Sequence, residues 1–505
     1  MIPYAGVQDD ESLFALPFWE PMGRLYELRI FHQHLPLMLM SYLGTFKTAL
    51  YWPLFKIFGS GIWVVRLPMV LVGAVTVYFF YMLLLRCGSR PLFAAATGAF
   101  LLATDPTFVL TDTFDWGPVA LEHLLLVAGC YLLVRSQESG ERRDLAAGFL
   151  LFGLALWNKA LFVWALSGLT VGALAVFWPE VRRALAPQNL RIAATAFLVG
   201  ASPFLLFNLR HSGATASENM HLDPGPISRK WIQFENAANG NAVFAFILEE
   251  DYAERPKPLT TWVGRIAGWI HDHLGVHRRT GFVYAFAVLL LLAPWWWKSR
   301  AARFSLIFIA ISGGMMTALK NAGGAAHHTV LLWPFPQLFA AVAIAAIPWR
   351  WILRAAAAAL IAMNLLVINQ HVYQFARNGA AGNFTDALFP LAQTLTHYRD
   401  QRIWSIDWGI FYTMDLAGEG RLHLRPVNNL LMSDTPSETD QVILRRIFSY
   451  PDSIFVGHVP EREVFPGVGA RLQRFADSTG YQRQPLQTVF DSNGRPVFEI
   501  FRFVR

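Results

Sequence analysis

Between residues 62 and 370 the chain carries about ten runs of mainly apolar residues, near 62–86, 91–110, 115–134, 145–158, 160–178, 192–209, 281–297, 304–319, 329–347 and 355–370. A helix of roughly 20 such residues crosses the hydrocarbon core of a bilayer. Inside a bilayer each backbone N–H and C=O must be satisfied by regular structure, which for runs of this length means helices. The expected fold is therefore mainly α, a polytopic bundle of membrane helices. Hydrophobic residues make up 54% of the 505 and charged residues 15%, which excludes an ordinary soluble enzyme. The fourth run is short and turns into the fifth at Asn158-Lys159. No basic stretch followed by an apolar core opens the chain, so no cleaved signal peptide is expected. Cys87 and Cys130 make neither a disulfide framework nor a zinc spacing and read as small apolar filler.

The connections between the runs alternate in charge. One set carries Arg86, Arg90, Arg135, Arg142, Arg143, Arg182, Arg183, Arg191, Lys298, Arg300, Arg303, Arg350 and Arg354, against only Glu138, Glu141, Asp144 and Glu180. Cytoplasmic loops collect Lys and Arg, so this set is expected on the cytoplasmic side of an inner (plasma) membrane. The other set is then extracytoplasmic: residues 1–61 as a first outer loop, 111–114, the large loop 211–280, 320–328, and everything after 371. This places the N-terminus outside with no segment to carry it there, and a helix upstream of Met1 is expected to do so.

The pattern changes after Asn369. "RIWSIDWG", "LHLRPV" and "SIFVGHV" read as strands, and "LQTVFDSNGRPVFEIFRFV" as a hairpin turning at Asn493-Gly494. "SETDQVILRRIF" reads as a helix begun by Ser437 and Asp440. Residues 371–505 are thus expected to form an extracytoplasmic α/β domain behind a transmembrane domain at 1–370. That tail holds 14 Arg and 14 Asp plus Glu, so the net charge of +7 comes from the membrane part.

Charged groups on the expected outer side are few enough to weigh singly. Asp9, Asp10 and Glu11 form the densest acidic cluster. Asp112 and Asp115 stand at the mouth of a span, with Glu122 on the same face roughly 10 Å deeper if one helix carries both. Arg66, Lys159, Arg210, Arg278, Arg279, Lys320, His327 and His328 supply the positive side. Taken alone, each has a plain reading: solvated acids, a Glu bonded to a neighbouring helix, bases snorkelling to headgroups. His327 and His328 make an awkward metal pair, because adjacent residues on a helix point about 100° apart. Their convergence at the outer ends of spans suits chemistry on an anionic lipid-linked substrate. A carboxylate takes a proton from an attacking hydroxyl, and Arg, Lys and His hold a phosphate.

The order of these features resembles the C-type glycosyltransferases of family 39, the protein O-mannosyltransferases and lipid A aminoarabinose transferases, in their bacterial form. Asp10-Glu11 resembles the acidic pair of that family's first outer loop. "HQHLPLMLMSYLGTFKTALYWPLFKIFG" resembles the amphipathic, helical stretch after it, and "VVRLPMVLVGAVTVYFFYMLLLR" the next span. Asp115 is similar to the second outer-loop Asp, "GLALWNKALFVW" to the Gly-rich run ending in Lys, and "HHTVLLWPFPQLF" to the late span, with His327-His328 in place of Arg-Tyr or His-Tyr. The resemblance implies a hexosyl- or pentosyltransferase using a polyprenyl-phosphate sugar and inverting the anomeric centre. It implies Asp10 as general base, with Glu11 and Asp115 as catalytic partners, Asp115 supporting the sugar or a divalent metal ion. Asp9, Arg66, Lys159, Arg279, Lys320, His327 and His328 are implied as substrate contacts. The partners implied are the lipid-linked donor, membrane lipids and a lipid, protein or glycan acceptor with a hydroxyl or phosphate, and no nucleic acid. The competing reading is a lipid or glycan flippase, which should show internal repeats and helices broken at the midplane.

Overall fold

A computed structural model describes residues 1–20, 23–88, 90–249, 254–320 and 322–505. Each of the ten apolar runs is helical, but not every one is long enough to span. Ile62–Leu84, Val119–Ser139, Pro187–Arg210, Arg300–Ala318 and Trp351–Asn378 have the length and apolarity to cross a bilayer by themselves. Among the described residues, counting each bent pair as one span raises the number from five to as many as eight. The difference from ten has local causes. Pro106 begins a new helix that Asp105 caps by accepting from the Phe108 N–H at 2.9 Å, so the second run bends by 57°. The fourth run, Arg142–Asn158, stops where Lys159 turns to extended backbone and bridges Leu43. The seventh breaks at Leu292, two residues before Pro294.

The two loop sets segregate to opposite ends of the bundle. The basic loops bond one another: Arg86 to Glu138 at 3.0 Å, Arg90 to the Ile347 carbonyl at 3.0 Å, Arg142 to Gln188 at 2.7 Å and Arg300 to Glu180 at 2.6 Å. At the other end the Ala160 N–H donates to Tyr42 O, Lys320 N–H to His221 O, and Thr280 N–H to Asn239 O. Between the ends, Arg142–Asn158 and Pro187–Arg210 pack closely because Gly153 and Gly200 face each other. A Cβ on Gly153 would lie 2.3 Å from the Phe197 carbonyl oxygen, and one on Gly200 would lie 2.5 Å from that of Leu150.

The first loop departs from the amphipathic, helical stretch expected of it. β1 (Tyr26–Ile30), β2 (Gln33–Met40) and β3 (Leu43–Gly44) form a three-stranded antiparallel sheet, and only Phe46–Phe58 is a long helix. Pro36 removes a helical donor, and residues 26–44 find partners across hairpins instead. In the large loop, Trp262–Leu274 is a helix capped by Thr261 and packed on Arg350–Asn378. It leaves Trp262, Ile266 and Trp269 exposed along one stripe, as a helix lying on a membrane surface would.

After the helix ending at Asn378, β4 (Arg402–Ser405), β5 (Leu424–Pro426), β6 (Ser453–His458), β7 (Gln482–Phe490) and β8 (Pro496–Val504) form one sheet in the order β5-β4-β6-β8-β7. β4 is parallel to β5 and β6, and the β7–β8 hairpin joins antiparallel. Helices Leu388–Leu395 and Phe411–Gly418 cover one face, and Glu438–Phe448 and Val468–Ser478 the other. Ser437 and Asp440 start the helix as expected, and they do so as a capping box. This domain sits on the non-basic end: Ala381 N–H donates to Ile247 O at 2.9 Å, Gly6 N–H to Phe384 O at 2.8 Å, and Arg462 pairs with Glu249 at 2.8 Å.

Candidate active site

The three consecutive acids sit on one short helical turn, Asp9–Ser12, with Gln8 as its cap. Successive residues on a helix point about 100° apart, so each acid meets a different neighbour. Asp9, buried, turns to the C-terminal domain, where its carboxylate accepts from the Gly409 N–H at 3.1 Å and the Thr413 hydroxyl at 3.5 Å. Glu11, also buried, forms a two-point ion pair with Arg66: Nε to Oε1 at 2.6 Å and Nη2 to Oε2 at 2.8 Å. Asp10 remains half-buried and has no ion-pair partner among the described residues. Its Oδ2 accepts from the Trp116 indole at 3.1 Å and the Gln8 amide at 3.3 Å. Burial pushes the Asp10 carboxyl up, opposed by those two donors and by the nearby Lys159 charge. Burial, then the charge of Asp10, push Asp9 up to about 7.

Arg66, implied as a substrate contact, has no room for a phosphate. Beyond Glu11, its donors go to Ile2 O at 2.7 Å, Ala5 O at 2.8 Å and Gly6 O at 2.7 Å, so all five N–H groups are used and the side chain is fully buried. Arg66 fastens the start of the chain to the first span and thereby fixes the turn that carries Asp10.

Asp115 lies in a tight turn with a backbone φ of +38°, outside the following helix, which begins at Val119. Glu122 is therefore in the first turn of that helix, not deep within it as a helix from 115 would place it. Asp115 accepts from the Ala120 N–H at 3.0 Å and pairs with Lys47, both side chains being buried. Lys47 also lies 4.1 Å from the Phe14 ring centroid. Sequence reasoning missed Lys47: inside "TFKTALYW" nothing local points to its distant partner. Lys159 Nζ donates to Gly117 O at 2.8 Å, with Asp10, Asp115 and Glu122 in electrostatic reach. No second hydrogen bond engages this ammonium among the described residues. Asn158 donates to Glu122 at 2.7 Å, and the other oxygen of Glu122 is buried without a hydrogen bond among the described residues.

His327 lies against Trp116, ring centroids 4.5 Å apart, and His328 is 4.2 Å from His327. The Nδ1 atoms of both are buried without hydrogen-bond partners among the described residues. Trp116 thus stands between Asp10 and the histidines. Glu122, Leu161, Trp164, Met316 and Leu331 line a narrow cavity, and the Trp164 ring in its wall lies edge-on to His328 with centroids 6.3 Å apart. Two expected bases stand apart from this cluster: Arg279 is 3.9 Å from Glu235, and the exposed Lys320 is tied through its backbone to His221. Among the described residues no three His, Cys, Asp or Glu side chains converge as metal ligands. With the Asp115 carboxylate already paired by Lys47, this donor set does not fit a resident divalent ion.

Residues 47–207 match the family model described as dolichyl-phosphate-mannose-protein mannosyltransferase. No curated protein sequence matches the chain significantly. The structure of ArnT from Cupriavidus metallidurans bound to undecaprenyl phosphate aligns with a TM-score of 0.55 at 14% identity, covering 99% of this chain and 93% of that one. Its apo form gives the same score and identity and is covered to 92%. At such identity the likeness is one of fold. It runs the length of the chain, so the two proteins share their overall fold.

Proposed function

We propose that this chain, folded as a C-type glycosyltransferase, moves a sugar from a polyprenyl-phosphate carrier to an acceptor hydroxyl at the extracytoplasmic face of the membrane. The observation that carries this reading is Asp10. Of three adjacent acids it alone keeps a carboxylate oxygen, Oδ1, without a hydrogen bond among the described residues, and it lies beside the buried, singly bonded Lys159. Asp10 takes the proton of the acceptor hydroxyl as that oxygen attacks the anomeric carbon. The bond from the anomeric carbon to the phosphate oxygen breaks, and the phosphate leaves with the electron pair. Lys159, with N–H donors from His327 and His328, offsets the charge that grows on the phosphate. One displacement inverts the anomeric centre. Glu11 and Asp115 serve by holding Arg66 and Lys47, and through them the turns on which Asp10 and Lys159 are aligned. Arg279 and Lys320 meet the charged donor further out. ArnT from Cupriavidus metallidurans binds undecaprenyl phosphate, and the same carrier is proposed for this chain.

The test uses the purified chain in proteoliposomes with a panel of undecaprenyl-phosphate sugars and an envelope extract as acceptor. Release of undecaprenyl phosphate is measured. Asp10→Asn should lower turnover by about 10²–10⁴-fold, the usual worth of a general base, with the protein still folded and inserted. Full activity of that variant removes Asp10 from the mechanism.

A further inference from the structure

The C-terminal domain has an open groove of about 480 Å³, away from the cluster around Asp10, whose walls include Asp400, Arg402, Trp404, Arg425, Tyr450 and Asp452. Its size falls within the roughly 300–1,000 Å³ of small-molecule sites. Trp404 on β4 pairs across the sheet with Phe455, and farther along this face helices Glu438–Phe448 and Val468–Ser478 bury the aromatic core. Near the edge strand β5 the cover stops, and Trp404 and Tyr450 are left half-buried. Both rings are held. The Trp404 indole donates to Ser453 Oγ at 3.0 Å, the Tyr450 hydroxyl accepts from Arg446 at 2.9 Å, and the Arg402 guanidinium lies 4.0 Å over the Tyr450 ring.

The charges around these rings cancel in pairs. Arg402 binds Asp452 at 2.6 Å and Arg425 binds Glu20 at 2.7 Å, while Asp400 stands 3.8 Å from Arg399. A polyanion would meet acids paired one for one with its bases, so a phosphorylated or nucleic-acid ligand gains little. A neutral sugar fits better. The C–H face of a pyranose packs on an aromatic ring, and vicinal hydroxyls donate to a carboxylate while accepting from a guanidinium. We infer that this groove binds a neutral glycan.

The groove is built into the piece that carries Asp10. Arg425 is bonded to Glu20 of the first loop, and Asp9 is bonded to Gly409 and Thr413 at the helix Phe411–Gly418 that leads into β5. A glycan held there has a fixed register relative to the base. Resting on the transferase reading, the groove makes the acceptor a glycan chain rather than a protein or lipid.

The full chain in detergent is tested by saturation-transfer NMR and titration against linear neutral hexasaccharides of glucose, mannose, galactose and arabinose. At least one should bind in the millimolar range or better. Trp404→Ala and, because that change sits near the core, the surface change Asp452→Asn should each weaken it tenfold or more. Arg474→Ala, on the covering helix, should leave it unaltered. If none of the four binds, or if neither groove variant weakens binding, the inference is overturned. Groove-dependent binding without transfer from any lipid-linked donor would instead sink the transferase reading and leave the glycan site standing.

Discussion

Arg66→Ala separates a scaffold from a phosphate contact. Both Arg66 and Glu11 are buried, with side-chain exposures of 0% and 1%, so solvent does not screen their pairing. Removing the guanidinium strands the Glu11 carboxylate and three carbonyls, those of Ile2, Ala5 and Gly6. Breaking a buried pair by deleting one partner costs about 3–5 kcal/mol. The loss is local, because it frees the start of the chain from the first span without removing a span. At about 1.36 kcal/mol per tenfold, 3–5 kcal/mol corresponds to hydrogen exchange faster by about 10²–10³-fold or more in the Asp9–Ser12 turn. The assay is exchange mass spectrometry of peptides from residues 1–20 in the membrane-inserted protein, alongside turnover. Turnover should fall with protection, since Asp10 rides on the same turn. Arg66→Lys should rescue little, because an ammonium cannot make the two-point contact or reach all three carbonyls. If Arg66→Ala kept wild-type protection and raised only the KM for the lipid donor, Arg66 would be a phosphate ligand and the reasoning from its hydrogen bonds would be wrong.

Lys47→Met should leave the buried Asp115 carboxylate uncompensated, destabilising the turn before Val119 by about 3–5 kcal/mol, read as new proteolytic cleavage near residues 113–118. Gly153→Leu should block the close crossing of two spans, and inserted, protease-resistant protein should be lost, since even a Cβ meets the Phe197 carbonyl at 2.3 Å. Asp9 titrates near 3.9 in an unfolded chain but at about 7 here, so the folded state binds the extra proton across that window. Its contribution is complete below about pH 4 and is lost as the pH rises through about 7. Thermal stability should therefore weaken from pH 5 to pH 7.5, and Asp9→Asn should flatten that slope; an unchanged slope would place the titration elsewhere.

Much of the fold was legible because it is written locally. Apolar run length marks a helix, and Asn493-Gly494 and the Ser437–Asp440 box mark a turn and a helix start wherever they sit. Loop charge divided the connections into two sets, and the bonds Arg86–Glu138 and Arg300–Glu180 show one set gathered at a single end. Local signals failed where partners lie far off in sequence. Residues 32–44 belong to the stretch expected to be amphipathic and helical, but hairpin pairing claims them. At Asp115 a local signal was passed over: Gly117-Pro118 marks the break that puts Glu122 in a first turn, inside a run read as apolar helix from 115.

The sequence by itself determined a helical membrane bundle, a separate α/β tail, and a small set of charged side chains at one end. Only the tertiary structure decided what each charge does. Charge pairing acts through space, and the partners here are remote: Glu11 with Arg66, Asp115 with Lys47, Asp9 with Gly409 and Thr413. A buried carboxylate with a cation or N–H groups fixed on it is committed to structure. Asp10 differs because the turn Asp9–Ser12 aims it at Trp116, which with Gln8 bonds only its Oδ2 and leaves Oδ1 without a hydrogen bond among the described residues.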